Sequence, residues 1–405
     1  MSKHPSLRRA AAGGLALTLV LAACSSDGSD GAADTTEADG AEATVELTDE
    51  QALDVATTYA DLVHTAYADV TEAATGLQAD LEAFVADPTD ETLSAAKEQW
   101  LAARDLYGPT EVFRFYDGPI DDPDDGPEGQ INAWPMDEAY VDYVADDPTA
   151  GIVNDAEGFP ELSIDVITAA NEEGGETNVS TGWHAIEFLL WGQDLTAGEP
   201  GNRPVTDYTT ADNADRRGQY LTLLGDLLVS DLEGLVAEWD PTDGAYRETF
   251  LGDPQQAVAD LMRGMGALSA GELAGERIAV AYETQDQEDE HSCFSDNTMA
   301  DVIGNAAGIR LAYTADWDGV DGTSLADVVA EVEPELGEAL SSQLDANVAA
   351  AEALAAEGTF EEVIAADDDS EGRTQMLALV ESLQAQGDAI AELGAALGYE
   401  ISLEI

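Results

Sequence analysis

The segment Thr48–Pro88, TDEQALDVATTYADLVHTAYADVTEAATGLQADLEAFVADP, decides the fold class. It opens with Thr48 and Gln51 in a Thr-x-x-Gln capping box, a signal for the start of a helix. Its apolar residues then recur at intervals of three and four, which is typical of an amphipathic helix. They are Val55, Tyr59, Leu62, Ala66, Val70, Ala73, Leu77, Leu81 and Phe84. Pro88 ends the pattern because proline lacks the backbone N–H that a helix interior requires. The segment therefore predicts one long helix.

The remainder of the chain repeats this helical periodicity. A second helix is predicted from near Thr89, and it carries Leu93, Ala96, Trp100, Ala103 and Tyr107 on one face. Further helical patterns occupy roughly 162–171, 183–191, 209–239, 254–283, 297–315, 324–357 and 371–397. Strand-like alternation is nearly absent, so we predict an all-α protein.

The helices are expected to form two bundles. A turn cluster, Asp240-Pro241-Thr242-Asp243-Gly244, marks the boundary and gives bundles over 47–243 and 244–405. Asp253 as N-cap with Pro254 at the first helical position starts a helix just beyond it. Each half has a helix with Trp or Tyr, then an acidic segment and a lone histidine, which hints at a duplication.

The N-terminus has the features of an export signal. Residues 1–23 combine a basic start with a short apolar run, which indicates a signal peptide. The run ends in Leu21-Ala22-Ala23-Cys24, which resembles a bacterial lipobox, so Cys24 is the expected lipidation site. Ordinary secretion with an incidental cysteine is the alternative. Residues 24–46 are acidic and lack periodicity, which predicts a disordered linker. We therefore expect a lipid-anchored protein on the outside of the cytoplasmic membrane.

The chain is strongly acidic. Its 405 residues include 85 Asp or Glu and only 14 Lys or Arg, which gives a formal net charge of −71. So few basic groups exclude a nucleic-acid binder, because binding phosphates requires cations that displace counterions. The charge has two explanations: a solvated surface suited to high salt, or a field that gathers cations. Its spread over spacer, helices and loops favours the first.

The run from Gly182 to Gly192, GWHAIEFLLWG, contains His184 and Glu187 as its only polar side chains. A spacing of three places them on one helix face, where both can bind a single metal ion. A buried carboxylate is unfavourable unless it is paired or coordinated, so Glu187 needs a partner. A His–Glu hydrogen bond inside a bundle core is the alternative explanation. His64, on the first helix, is expected to be buried or half-buried.

Two other segments carry candidate residues. Trp100, Arg104 and Tyr107 share a helix face, and the buried arginine requires a carboxylate, for which Glu111 and Glu187 are candidates. The segment 283–298 surrounds His291 and Cys293 with acidic residues. It predicts either a cation site or an exposed helix end, with Ser295 or Asp296 as the N-cap of the next helix.

Three runs together resemble the imelysin family of bacterial envelope proteins: TGWHAIEFLLWG (181–192), WLAARDLYGPTEVFRFYDGPID (100–121) and QEDEHSCFSDNT (287–298). Gly182, His184 and Glu187 match that family's Gly-x-His-x-x-Glu motif. The resemblance implies an all-helical fold of two bundle-like halves and a role in iron acquisition beside an iron transporter or permease. It also implies His184 and Glu187 as a metal pair, with Glu111 proposed as a third ligand. Some family members were first described as insulin-cleaving metallopeptidases.

Three classes of function follow. The first is a cell-surface lipoprotein that binds iron, because one histidine with several carboxylates is an oxygen-rich ligand set. Its site residues are His184, Glu187 and Glu111, supported by Arg104, Tyr107 and Trp183, with Glu288 and His291 as a possible second site. The second is a zinc peptidase, which requires His64 or His291 to approach His184. The third is a non-catalytic adhesion lipoprotein whose buried polar residues are structural.

Overall fold

A computed structural model describes residues 44–196 and 198–405 of the chain. Within these ranges the secondary structure consists of helices joined by turns, and no β-strand occurs in them. The prediction of an all-α protein is therefore confirmed.

The α-helices occur in the following chain order: α1 (Asp49–Ala86), α2 (Asp90–Tyr107), α3 (Glu128–Ile131), α4 (Glu138–Val141), α5 (Ile164–Ala170), α6 (Gly182–Trp191), α7 (Ala214–Glu238), α8 (Ala245–Gly252), α9 (Pro254–Ala267), α10 (Val280–Thr284), α11 (Thr298–Thr314), α12 (Leu325–Val332), α13 (Pro334–Ala355), α14 (Phe360–Ile364) and α15 (Glu371–Ala396). The chain forms 3₁₀ turns at Gly108–Phe113, Val205–Tyr208 and Gln287–Asp289. Between α9 and α10, Leu268–Ala279 is wound as a π-helix.

The predicted start signals act as expected. Thr48 and Gln51 form the reciprocal capping box at the start of α1, where the Gln51 N–H donates to Thr48 Oγ1 over 3.2 Å. Asp253 caps α9, accepting a hydrogen bond from the Gln256 N–H. These caps use side-chain oxygens to satisfy N–H groups that have no partner inside the helix.

Two predicted helices are shorter or more divided than the periodicity suggested. The pattern over 324–357 is broken at Pro334, so that α12 ends at Val332 and α13 starts with the proline. The first turn of a helix tolerates proline, whereas its interior does not, which explains the break. The pattern over 254–283 changes from α to π winding at Leu268.

The helices surround a buried apolar core that includes residues from α1 through α15. α1 lies against α2, α7 and α9, while α15 lies against α13 and the π-helix. The described residues all fall within one compact unit. The predicted boundary at 243/244 lies in the turn between α7 and α8, and the division into two bundles stays a prediction.

Three packing contacts position the candidate site. α6 packs against α2 and α7, and α11 packs against the 3₁₀ turn Gly108–Phe113. Because α2 leads directly into that turn, the three runs that resemble imelysins meet in the folded chain.

The predicted signal peptide (1–23), Cys24 and most of the linker lie outside the described residues. At the end of the predicted linker, the Val45 N–H donates to the Ala396 carbonyl over 2.9 Å, so this part of the chain contacts α15. Among the described helices, none is long and apolar enough to cross a membrane.

Candidate functional site

Gly182 allows α6 to begin where it does. Its φ is +82°, and a Cβ at this position would lie 2.4 Å from the Ile131 carbonyl oxygen on α3. Only glycine adopts this backbone conformation readily, and only glycine leaves room for the neighbouring backbone. The first residue of the Gly-x-His-x-x-Glu motif therefore sets how closely α6 approaches α3.

His184 and Glu187 lie one turn apart on α6 and are buried. His184 Nδ1 is 3.0 Å from Glu187 Oε2, so the two groups share a hydrogen bond. The other oxygen, Oε1, accepts hydrogen bonds from the Ser295 N–H at 2.9 Å and the Ser295 hydroxyl at 2.7 Å. Nε2 of His184 has no hydrogen-bond partner among the described residues. A buried ring nitrogen without a hydrogen-bond partner is unusual in a folded protein.

His291 is the histidine that reaches His184. The two ring centroids are 4.8 Å apart with the planes at 66°. His291 Nδ1 is 2.9 Å from Asp301 Oδ2, which also accepts a 2.6 Å hydrogen bond from the Ser292 hydroxyl. The fold thus brings together two histidines that are separated by more than a hundred residues in the sequence.

Arg104 links this pair of histidines to a second group of charges. Its Nε donates to Asp301 Oδ1 over 3.1 Å, and its Nη2 is 3.3 Å from His291 Nδ1. Nη1 donates to the Asn132 side-chain oxygen, and Glu111 lies 3.6 Å from Nη2. The expected carboxylate partner of the buried arginine is therefore Glu111 together with Asp301.

Glu111 is surrounded by donors. Its oxygens accept hydrogen bonds from Arg277, from the Asn132 amide at 3.1 Å and from the Asn305 amide at 3.3 Å. To act as the proposed third metal ligand, Glu111 would have to exchange some of these partners. In the structure it is the buried counter-ion of Arg104 and Arg277, and its role as a ligand stays a prediction.

Burial and neighbouring charges shift the ionisation of these groups. Burial lowers the pKa of His184 well below its usual range, and His291 and Arg104 lower it further. Burial and the nearby Arg277 and Arg104 do the same to the pKa of His291. Both rings are therefore neutral at neutral pH, which is the form that binds metals.

The two glutamates shift in opposite directions. Burial raises the pKa of Glu187 to about 8, an effect that the hydrogen bonds from Ser295 oppose. Burial would also raise the pKa of Glu111, but Arg277 and Arg104 outweigh it and lower the pKa to about 2. Glu111 is therefore firmly ionised, whereas the carboxyl group of Glu187 favours its protonated form at neutral pH.

The other predicted residues are placed as follows. Tyr107 and Trp183 are buried, with ring centroids 5.5 Å apart, and Arg104 lies over the Tyr107 ring. His64 is half-buried on α1. Glu288 is exposed, and it is not among the described hydrogen-bond partners of His291. The structure thus assigns His291 to the His184 cluster rather than to a pair with Glu288.

The expected N-cap of α11 is wrong. Neither Ser295 nor Asp296 caps the helix, because its N-cap is Asn297. Ser295 instead directs both its N–H and its hydroxyl towards Glu187. The need of a buried carboxylate for donors explains this use of the serine.

Sequence patterns alone do not place several residues at the site. Asp301, Asn132, Ser295 and Arg277 belong to helices and loops that meet only in the folded chain. The scarcity of basic residues is a usable signal: in a chain with 85 acidic and only 14 basic residues, an arginine such as Arg277 is expected to pair with a carboxylate.

Fold and site together define an all-α protein with a buried Gly-x-His-x-x-Glu motif at the meeting point of three chain segments. Residues 63–390 match the profile of the family described as Imelysin. The chain therefore belongs to the imelysin family.

Particular relatives can be named. The chain is 27% identical to iron-regulated protein A of Synechococcus elongatus over 289 residues, which cover 68% of each protein. A solved structure from Parabacteroides distasonis, described as a candidate iron-regulated protein A precursor, is similar with a TM-score of 0.66. It has 18% identity and covers 85% of this chain and 95% of that one. An imelysin-like protein from Psychrobacter arcticum gives a TM-score of 0.64 at 17% identity, covering 89% and 99%. These two structures support the fold.

Proposed function

We propose that this protein binds iron for uptake, with His184 as the central ligand. The observation that carries the proposal is Nε2 of His184, a buried ring nitrogen without a described hydrogen-bond partner. A bound cation favours ionised Glu187, which then accepts a hydrogen bond from Nδ1–H of His184 and leaves the Nε2 lone pair free for the metal. Metal-binding histidines commonly donate their other ring N–H to a carboxylate in this way.

Further ligands are available around His184. Glu187 can serve as a ligand or can orient His184. The His291 ring lies 4.8 Å from the His184 ring, and Asp301 is hydrogen-bonded to His291. Imidazole with carboxylates is a ligand set that suits iron. Arg104 opposes a cation here, but its charge is matched by Glu111 and Asp301. Because His184 and His291 are buried, we expect a neighbouring segment to move when iron enters.

The relatives support iron as the cargo. The Synechococcus protein is named for regulation by iron, and this chain shares 27% of its residues with it over the aligned region. Regulation by iron is expected of proteins that acquire it. A surface location, with Cys24 lipidated and an iron permease as partner, follows from the sequence and belongs to the same proposal.

Iron titration of metal-free protein tests the site. We expect at least one tightly bound equivalent, measured by elemental analysis after gel filtration, and we expect His184→Ala to abolish it. His64→Ala is the matched control, because it removes a half-buried histidine elsewhere and should leave iron binding unchanged. Unchanged iron binding in the folded His184→Ala variant would refute the assignment.

A zinc peptidase is the second candidate, and one observation favours it. The peptidase hypothesis required another histidine near His184, and His291 meets that requirement with its ring centroid 4.8 Å away. Zinc bound by two histidines and a carboxylate can activate water. This hypothesis predicts cleavage of an unfolded substrate that a chelator stops and zinc restores. Iron binding without such cleavage would support the iron-binding function and refute the peptidase hypothesis.

A further inference from the structure

A second group of carboxylates lies outside the histidine site. Asp194 follows α6, Asp296 precedes α11, and Glu361 is on α14. One carboxylate oxygen from each lies within 4.8 Å of the others. These three residues, which we call the carboxylate triad, come from segments far apart in the sequence. Glu290 is a buried neighbour whose strongest charge interaction is with Glu361.

Two oxygens of this group lack a donor. Glu361 is only 3% exposed, and its Oε1 accepts a hydrogen bond from the Gly198 N–H. Its Oε2 has no N–H or O–H partner among the described residues, although the Asp194 carboxyl lies within hydrogen-bonding distance of Glu361. Glu290 is 2% exposed, and its Oε1 is likewise without a partner in the described part of the chain. Buried carboxylates in this arrangement require either protons or a cation.

No basic side chain supplies that cation within the described ranges. The ion pairs found there join arginines and histidines to other carboxylates, among them Glu111, Asp142 and Asp301. Consistent with this, burial and repulsion from Asp194 and Asp296 raise the pKa of Glu361 to about 7. A bound cation would remove the repulsion that contributes to this shift.

We propose that Asp194, Asp296 and Glu361, with Glu290 beside them, bind a hard divalent cation of the Ca²⁺ class. The available ligands are all oxygens, which such cations prefer over the nitrogen ligands of the histidine site. Calcium–oxygen distances are about 2.3–2.6 Å, so oxygens on opposite sides of one ion are up to about 5 Å apart. The 4.8 Å limit on the triad fits this spacing.

The proposed site has a structural consequence. Asp296 directly follows Ser295, whose N–H and hydroxyl hold Glu187. A cation on the triad would fasten this loop to the segment after α6 and to α14, and would hold the donors of Glu187 in place. The inference concerns a site separate from the proposed iron site.

Calcium titration of the full, chelator-treated protein tests the proposal. At about 1 M KCl, where the Debye length is near 3 Å, diffuse attraction of Ca²⁺ to the acidic surface is suppressed. We expect one saturable equivalent by calorimetry and a higher melting temperature with Ca²⁺. Asp194→Asn with Glu361→Gln should weaken binding at least 100-fold and remove the melting shift. The control variant, Asp124→Asn with Glu338→Gln, makes the same charge change at two exposed residues. It should retain both Ca²⁺ binding and the rise in melting temperature.

Two further variants complete the test. Glu290→Gln is a milder change that should weaken Ca²⁺ binding, and it serves if the double variant fails to fold. His184→Ala should retain Ca²⁺ binding, so that failure of the iron proposal and failure of this one can be told apart. The proposal is overturned if wild-type protein shows no saturable Ca²⁺ site, or if the folded double variant binds Ca²⁺ as wild type does.

Discussion

Two groups of carboxylates in this protein differ in whether they have basic partners, and their pKa values shift in opposite directions. Glu111 is completely enclosed by donors, including Arg277 and Arg104, and its pKa falls to about 2. The carboxylate triad and Glu290 have no described arginine partner, and the pKa of Glu290 rises to about 9. Glu361 and Glu290 are nearly as buried as Glu111, so the difference among these three lies in whether the fold supplies positive charge.

The difference shows how the chain uses its few basic residues. Several arginines are buried inside: Arg104, Arg203, Arg217, Arg247, Arg277 and Arg373. Arg203 and Arg217 both bind Asp142, at 2.8 Å and 2.6 Å, in a cluster of the same design as that of Glu111. A buried carboxylate that is paired with an arginine contributes to the stability of the fold. Where none is present, the carboxylate is free to bind a proton or an ion from outside.

The largest effect is expected at Glu111. Glu111→Gln removes the negative charge that balances Arg104 and Arg277, leaving buried cations with reduced compensation. Breaking a buried ion pair in this way destabilises a protein by about 3–5 kcal/mol. Urea denaturation of the metal-free protein measures the change. Asp345→Asn breaks the exposed 3.2 Å pair with Arg310 and should lower the unfolding free energy by less than about 1 kcal/mol. Equal losses in the two variants would contradict the comparison.

Glu290, beside the carboxylate triad, should make stability depend on pH in the direction opposite to Glu111. The pKa of Glu290 is about 9 in the folded state and near 4.5 in the unfolded chain, so the folded state holds more protons between these values. Stability of the metal-free protein should therefore fall as pH rises from 6.5 to 8, by roughly 2 kcal/mol at most from Glu290.

Glu290→Gln isolates this contribution, because it removes the titrating group and should flatten the pH dependence. Thermal unfolding in the presence of a chelator measures it. The window lies above 6.5 because the depressed pKa values of His184 and His291 make acidification destabilising below that pH. For Glu111, whose folded pKa is about 2, the contribution to stability is fully present above about 4.5 and is lost progressively as pH falls from there to about 2. An unchanged slope in Glu290→Gln would show that Glu290 is not the group concerned.

The smallest effect is expected at Ser295. Ser295→Ala removes the 2.7 Å hydroxyl hydrogen bond to Glu187 but leaves the backbone N–H bond, so stability should drop by about 1 kcal/mol. Ser180→Ala removes a similar buried bond, 2.8 Å long, to the Ile167 carbonyl and should cost about as much. Only the Ser295 variant should also weaken iron binding, measured by the same titration. A loss of iron affinity in Ser180→Ala would point to a general loosening of the fold.

The helices themselves were largely readable from the sequence. Periodicity and caps located α1, α2 and the start of α9, because these signals depend on residues within one or two turns of each other. Pro334 is itself a local signal for the break between α12 and α13. The apolar pattern continues across it, however, and periodicity therefore predicts one helix over 324–357. The change to π winding at Leu268 has no such local signal, so periodicity alone does not predict it.

At the site, the sequence by itself determined the pairing of His184 with Glu187, because a spacing of three fixes neighbours on any helix. It also determined that Arg104 needed a buried carboxylate. Only the tertiary structure decided that His291 would be the second histidine, that Ser295 would donate to Glu187, and which carboxylates would receive an arginine. Each of these contacts joins residues that are more than a hundred positions apart in the sequence. Their geometry therefore depends on how α6, α11 and the loops between helices pack together.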